Sequence, residues 1–432
     1  MKADVAIVGA GTAGASAALQ CARRGLSVVC VDRDKLEGAG ARWVNGVAES
    51  AFDDAGLDRP AGEERLGGGH PFHLIAGWGP ERLTMGAHSV LEVDMRHLVQ
   101  RLQGGAREAG ADLRGEVEVE SFDADSGTMQ TSGGTLEARW FVDASGLSGV
   151  RLLGQPEVGK EHLCVAAQQV RRADAAGAAD LYARHQAQPG ETLCFTGLAG
   201  GYSIVNVRVH GDSVSLLTGS IPGLGFKSGV HLLEEFVQEQ DWIGERLFGG
   251  ARAIPIRRPY DRIAGGPVAL LGDSACQVFP AHGSGIGAQL VAARMLAEAL
   301  QTGSESAAED YGVRWMRTHG GVFAAYDLFR RFSQTLTIEQ TRHLMRSGLM
   351  DHQGVAAGLE QRLPRMTLAA VPTVPRKAWG LLRRPAMAVR LARMGAGMAR
   401  VLAAYRRYPA DPARLQPWAQ SVAGIFGDLS VL

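Results

Sequence analysis

The 432-residue sequence is poor in cysteine, has no excess of either charge and contains no long apolar run. Its five cysteines, Cys21, Cys30, Cys164, Cys194 and Cys276, are odd in number, scattered and free of any C-x-x-C pair. That pattern argues against a disulfide framework, a zinc site and dithiol redox chemistry, and it fits a reducing cytoplasm. Lys and Arg together number 45, as do Asp and Glu, so the formal net charge is zero. Nothing in that balance calls for a nucleic acid or a strongly acidic partner. A stretch of about 18 to 20 apolar residues, as a membrane-spanning helix needs, is missing. Met1-Lys2 does precede an apolar run, but the glycine spacing inside it argues against an export signal. The chain is rich in glycine, with 57 residues. It is long enough for two or three domains.

Ala3–Val8 (ADVAIV) reads as a buried parallel strand. It runs into Gly9-Ala10-Gly11-Thr12-Ala13-Gly14, then an alanine-rich helical segment to Arg24 with Gly25 as its stop. Ser27–Val31 (SVVCV) makes a second strand, and Asp32 sits at its carboxyl end. In this G-x-G-x-x-G pattern Gly9 permits a tight turn and Gly11 lets backbone approach a pyrophosphate. Gly14 lets helix and strand pack closely. The helix start offers free N–H groups and the positive end of its dipole. Asp32 is placed to accept hydrogen bonds from ribose hydroxyls, with Thr12, Ala13 and Arg33 beside it. An isolated glycine pattern is weak; strand, motif, helix, strand and terminal acid in register specify a nucleotide-binding unit.

A second glycine-rich helix start, placed after a strand with an acid at its end, follows later. Pro267–Leu271 (PVALL) reads as a strand and leads into Gly272-Asp273-Ser274-Ala275. Pro280 and Gly283-Ser284-Gly285-Ile286-Gly287 then open an Ala/Leu-rich helix to about Leu300.

These segments resemble the large flavoprotein superfamily of p-hydroxybenzoate-hydroxylase-type monooxygenases, geranylgeranyl reductases, lycopene cyclases and flavin-dependent halogenases. Val93-Asp94-Met95-Arg96, with Leu98 and Leu102, resembles the helix whose arginine touches the FAD phosphates. Trp140–Arg151 (WFVDASGLSGVR) resembles a strand followed by a D-x-x-G-x-x-S turn, where Asp143 shapes the turn. Ile254–Ala275 resembles the strand pair leading to a ribityl-binding aspartate. The resemblance implies an α/β protein with a Rossmann-type FAD-binding domain (glutathione-reductase-2-like) over residues 1–75, 94–152 and 262–305. An inserted antiparallel β-sheet substrate domain takes 76–93 and 153–261, and a C-terminal helical region takes 306–432.

The resemblance also implies noncovalent FAD, held by Gly9, Gly11, Thr12, Ala13, Gly14, Asp32, Arg33, Arg42, Arg96, Gly272, Asp273, Pro280, Gly283, Gly285 and Ile286. Asp273 suits a ribityl hydroxyl. The N–H groups of Gly285–Gly287 suit the flavin edge where negative charge collects on reduction. Cys164–Val170, Gly201–Val209 and Ser213–Thr218 alternate like strands of a sheet roofing the flavin. Substrate-pocket candidates are Trp43, Asn45, Phe195, Tyr202, Asn206 and Arg208, and alternation turns about half of such strand residues away. His282, just past Pro280, is the general acid/base candidate. Cys276 reads as packing.

The expected activity is that of an FAD-dependent oxidoreductase acting on an apolar or aromatic small molecule in secondary metabolism, as a monooxygenase or a dehydrogenase/reductase. Alternatives are a halogenase of a variant branch, a geranylgeranyl-reductase-like isoprenoid reductase and a non-redox flavin-dependent cyclase. The seven tryptophans form no W-x-W of the halogenase kind. The loop Arg42-Trp43-Val44-Asn45-Gly46 lacks the Cys-Gly pair usual in geranylgeranyl reductases. With no second G-x-G-x-x-G unit, NAD(P)H binds transiently, or a flavin reductase or other electron-transfer partner replaces it. Nine basic residues and no acidic ones lie between Arg376 and Arg407. They read as a solvated basic face or as a helix lying peripherally on an anionic inner-membrane surface.

Overall fold

The computed structural model describes residues 1–86, 88–364 and 374–430. The first apolar run forms strand β1 (Lys2–Val8), followed by helix α1 (Thr12–Ala22) and strand β2 (Val28–Val31). Gly25 takes a left-handed φ of 81° just past the helix, where a side chain would be strained. β1 lies between β2 and strand Gly134–Asp143, with Asp112–Arg114 and Val268–Leu270 outside them, all parallel. Both faces of β1 are covered, which is why it reads as a continuous apolar run. Helix α1 is buried along its whole length against helices Met95–Glu108 and Ile286–Leu300. A Cβ on Gly14 would stand 1.7 Å from the Gly9 carbonyl oxygen, so only glycine lets the helix sit this close.

The second sheet has seven strands in the order Ile243–Pro255, Leu163–Ala173, Ser213–Ser220, Ile204–His210, Thr192–Thr196, Phe72–Ala76 and Arg82–Met85. Gln168, Leu217, Asn206, Cys194 and Leu74 pair in register across it, so they share one face. On the other face Ile75, Phe195, Val205, Val207 and Leu216 are buried with helices Ala175–Arg184 and Gly229–Gln238. The strand expected from Gly201 begins at Ile204, because the Ser203 hydroxyl donates to the Gly200 carbonyl and accepts from Ala199, folding the preceding residues into a turn.

From Ala307 onward the described chain is helical, as its pattern predicts. These helices share one core with the Rossmann-type half: Phe323, Tyr405 and Val422 belong to the same buried cluster as Val5 and Ile7. Asp327 and Arg330, both fully buried and 2.5 Å apart, tie helix Gly321–Ser333 to the Arg258 N–H, which donates to Asp327 at 3.0 Å. Burial raises the Asp327 pKa, but Arg330 and Arg331 outweigh it and hold the carboxyl well below its usual range. Among the described residues no helix is long and apolar enough to cross a membrane.

Candidate functional site

The carboxyl ends of β1 and β2 open on a cavity of about 620 Å³. Gly9, Gly11, Thr12, Ala13, Asp32 and Arg33 line it, as do Trp43, Asn45, Asp273, Gly283, Gly285 and Ile286. Two helices begin on it, with Gly11 and Gly285 at their starts, and neither start is capped by a side chain. Asp94, Asp174, Ser228, Thr337 and Asp351 cap other helices, whereas Glu49–Ala55, Ala307–Trp315 and Pro385–Arg406 also start without a side-chain cap but away from the cavity. The first-turn N–H groups that caps would satisfy are therefore left for a ligand at both starts.

Several side chains are fixed around this cavity. The Asp32 carboxylate accepts from the Ala10 N–H at 2.7 Å and the Asp34 N–H at 2.9 Å, which orients it while leaving lone pairs. Gln289 donates to Asp273 at 3.0 Å, and burial raises the Asp273 pKa. Gln168 grips Val44 twice, accepting from its N–H at 2.7 Å and donating to its carbonyl at 2.9 Å. That clip holds the loop bearing Trp43 and Asn45 against the second sheet. Asn45 has a buried Nδ2 with no partner, a donor that an acceptor on a bound group would satisfy. Asp143, fully buried, accepts from Ser145, Ser274, Leu152 and Gln155, pinning the turn that lines the wall next to Asp273. This donor set fits an elongated dinucleotide.

Other expected contacts are elsewhere. Arg42 is exposed and donates to the Glu37 carbonyl rather than lining the cavity. Arg96 is held by Asp94, with Nε 3.0 Å and a terminal nitrogen 2.5 Å from its carboxylate, and lies over the Phe248 ring. The residue that caps its helix thus also claims its side chain. Gly14 and Gly272 serve packing: a Cβ on Gly272 would meet Ala13 at 2.9 Å. Pro280 is buried within its turn and is not part of the cavity wall. Phe195 is on the wrong face of the sheet, in the core under the two helices. Arg208 is paired with Glu92 and donates to the Gly190 carbonyl at 3.0 Å, so its charge is spent internally.

Asn206 lies on the cleft-side face, and its buried Oδ1 has no partner. Tyr202 is outside the cavity wall proper, but a Cβ on Gly283 would lie 3.8 Å from its hydroxyl. His282 is a clamp instead of a free acid/base group. Its Nδ1 accepts from the Ser284 N–H at 3.2 Å and its Nε2 donates to the Gly358 carbonyl at 3.2 Å. Burial pushes its pKa down to about 4, which keeps the ring neutral. Burial pushes the Cys276 thiol up to about 12, the opposite of an activated nucleophile.

Sequence reasoning missed Arg252, Gln168 and Gln289. Arg252 lines the cavity from strand Ile243–Pro255 and donates to the Gly40 carbonyl at 2.5 Å. Its only sequence signal is a cation just after Gly249-Gly250. Gln289 was legible as a polar side chain in the otherwise apolar first turns of its helix, facing back toward Asp273.

Residues 4–61 match the family model described as FAD dependent oxidoreductase. The digeranylgeranylglycerophospholipid reductase of Sulfolobus acidocaldarius is 25% identical over 100% of this chain and 98% of its own length. Both findings fit the FAD-dependent oxidoreductase superfamily that the sequence motifs resemble. The fold is close to those of two solved structures. A geranylgeranyl bacteriochlorophyll reductase-like protein from Thermoplasma acidophilum superposes with a TM-score of 0.68 at 14% identity, covering 88% of this chain and 98% of that one. The myxobacterial chondrochloren halogenase superposes with a TM-score of 0.62 at 16% identity, covering 98% and 97%. The family matched by the N-terminal unit is FAD-dependent.

Proposed function

We propose that this flavoprotein reduces a carbon–carbon double bond in an apolar, isoprenoid-like substrate, with FAD held between the helix starts at Gly11 and Gly285. The observation that carries the reading is the face of the second sheet next to the cavity. Ile204 and Leu217 on that face are only half-buried, whereas Val205 and Leu216 on the opposite face are fully covered. An apolar surface left open beside a nucleotide cavity suits an apolar substrate. Full-length similarity to a reductase of isoprenoid lipids points the same way.

When bound, FAD supplies the electron pair, and a nicotinamide or a partner protein replenishes it. The chain's own part is positioning and one proton. Backbone N–H groups at Thr12 and Ala13 would hold the pyrophosphate, and Asp32 and Asp273 would hold the two sugar portions. Saturating a double bond takes a hydride and a proton. The Tyr202 hydroxyl is the proton donor in this reading: it neighbours Gly283, makes no hydrogen bond to any described residue, and burial raises its pKa well above the usual value, so it stays protonated. Asn206 and Asn45 contribute amides that orient a polar end of the substrate.

The test is anaerobic. The FAD-loaded protein is reduced with dithionite and mixed with geranylgeranyl-bearing lipid, and flavin absorbance and product mass are followed. Reoxidation of the flavin with a product heavier by two hydrogens per bond is expected. Reoxidation only by oxygen with a hydroxylated product, or a halogenated product when halide is present, would overturn the reductase reading in favour of a monooxygenase or a halogenase.

A further inference from the structure

Helices Val374–Arg383 and Pro385–Arg406 form a basic anomaly on an otherwise neutral chain: from residue 361 to residue 410 there is no acidic side chain. Their exposed surface is also unusually apolar. Trp379 is 58% exposed, Leu382 74% and Val389 50%, three of the eight exposed large apolar side chains among the described residues. Trp379 and Leu382 are three positions apart on one helix, so they project from the same side. Arg383 lies over the Trp379 ring at 5.1 Å. On the second helix Val389, Arg393, Arg400 and Arg407 recur at helical spacing on the exposed side, while Met387, Gly397, Val401 and Tyr405 face the core. Arg384 and Arg393 are exposed, and neither has an acidic partner among the described residues.

We infer that this face docks on a bilayer containing anionic lipid. A soluble protein surface rarely combines exposed tryptophan and leucine with clustered arginine and no carboxylate. A headgroup layer satisfies both parts at once. Arginines meet lipid phosphates while Trp379, Leu382 and Val389 enter the acyl boundary. A solvated basic face explains the arginines alone and leaves the three apolar side chains without a reason.

The face is also mechanically tied to the site. The Gly380 carbonyl accepts from His343 at 3.1 Å, and Lys377 pairs at 2.6 Å with Asp351, which caps helix His352–Leu359. The far end of that helix is the Gly358 carbonyl held by His282, in the turn that lines the cavity. Docking would therefore bring the bilayer one helix away from the flavin-binding turn. The inference rests on the surface itself and stands whether or not the substrate is an isoprenoid.

The test is flotation of the FAD-loaded protein with phosphatidylcholine vesicles, with and without phosphatidylglycerol. Binding to the anionic vesicles and its reversal by salt are expected. The double change Trp379→Ser, Leu382→Ser should weaken partitioning by more than about tenfold. Arg384→Gln or Arg393→Gln should each weaken it by about fivefold. Thermal midpoints should be unchanged, since all four side chains are exposed. No flotation with anionic vesicles, or flotation indifferent to these changes, overturns the inference. So does a concentration-dependent dimer, without vesicles, that the Trp379/Leu382 variant abolishes, because a second copy then covers the face.

Discussion

Replacing His282 by glutamine separates a clamp from an acid/base catalyst. Glutamine keeps a donor that can reach toward the Gly358 carbonyl but cannot titrate. In the folded protein burial holds the His282 pKa at about 4, against about 6.5 in an unfolded chain. As pH falls, the unfolded chain takes up the proton first, so the contribution is fully present above about 6.5 and is lost progressively toward about 4. Between about pH 7.5 and about pH 5 the ceiling on that loss is about 2 kcal/mol. Water at the edge of the half-buried ring reduces it to about 1 kcal/mol. Urea unfolding of parent and variant at both pH values measures it. The variant should lose about 1 kcal/mol less stability on acidification. A residual slope should remain from His162, which burial and the neighbouring Arg331 also push down to about 4. Turnover at about pH 7.5 should fall by less than about tenfold. A drop of about a hundredfold or more, the size expected for a lost general acid/base, together with an unchanged pH slope, would refute the clamp.

Three further outcomes are expected. Gly14→Ala forces a Cβ to 1.7 Å from the Gly9 carbonyl oxygen, an overpacking cost of about 3 kcal/mol or more; a variant with full flavin content and an unchanged thermal midpoint contradicts this. Asp327→Asn leaves Arg330 buried with no counter-charge and should cost about 3 to 5 kcal/mol in urea unfolding at neutral pH. Because the folded carboxyl is held below its usual range, that contribution is present above about pH 3.9 and lost only as pH falls further; a neutral-pH loss under about 1 kcal/mol argues against the pair. Tyr202→Phe should keep bound flavin yet slow anaerobic reoxidation by substrate about a hundredfold; an unchanged rate removes Tyr202 as proton donor.

What could be read from the sequence was local. β1, the glycine turn, α1 and β2 are set by residues within about thirty positions of one another, and each signal agrees with the next. The same holds for Asp273 and the Gly283–Ile286 helix start. Their places on the cavity wall follow from strand and helix geometry alone. Strand alternation was equally legible, but not which parity faces the cleft. Phe195 and Asn206 differ in that respect only because two helices from elsewhere in the chain cover one face of the sheet.

Side-chain roles were decided by partners distant in sequence or by competition close at hand. Arg96 points where Asp94 and Phe248 draw it, the latter contributed by the second sheet. His282 is neutral because burial among elements distant in sequence lowers its pKa, outweighing the Gly358 carbonyl, 76 positions away, which favours the charged ring. Gln168 reaches Val44 across 124 positions to set the loop that carries Asn45. The sequence by itself determined the backbone that cradles a dinucleotide, since hydrogen-bonding N–H groups at a helix start need only local geometry. Tertiary structure decided which charges and rings remain free to act there, because burial and pairing depend on every element that packs around them.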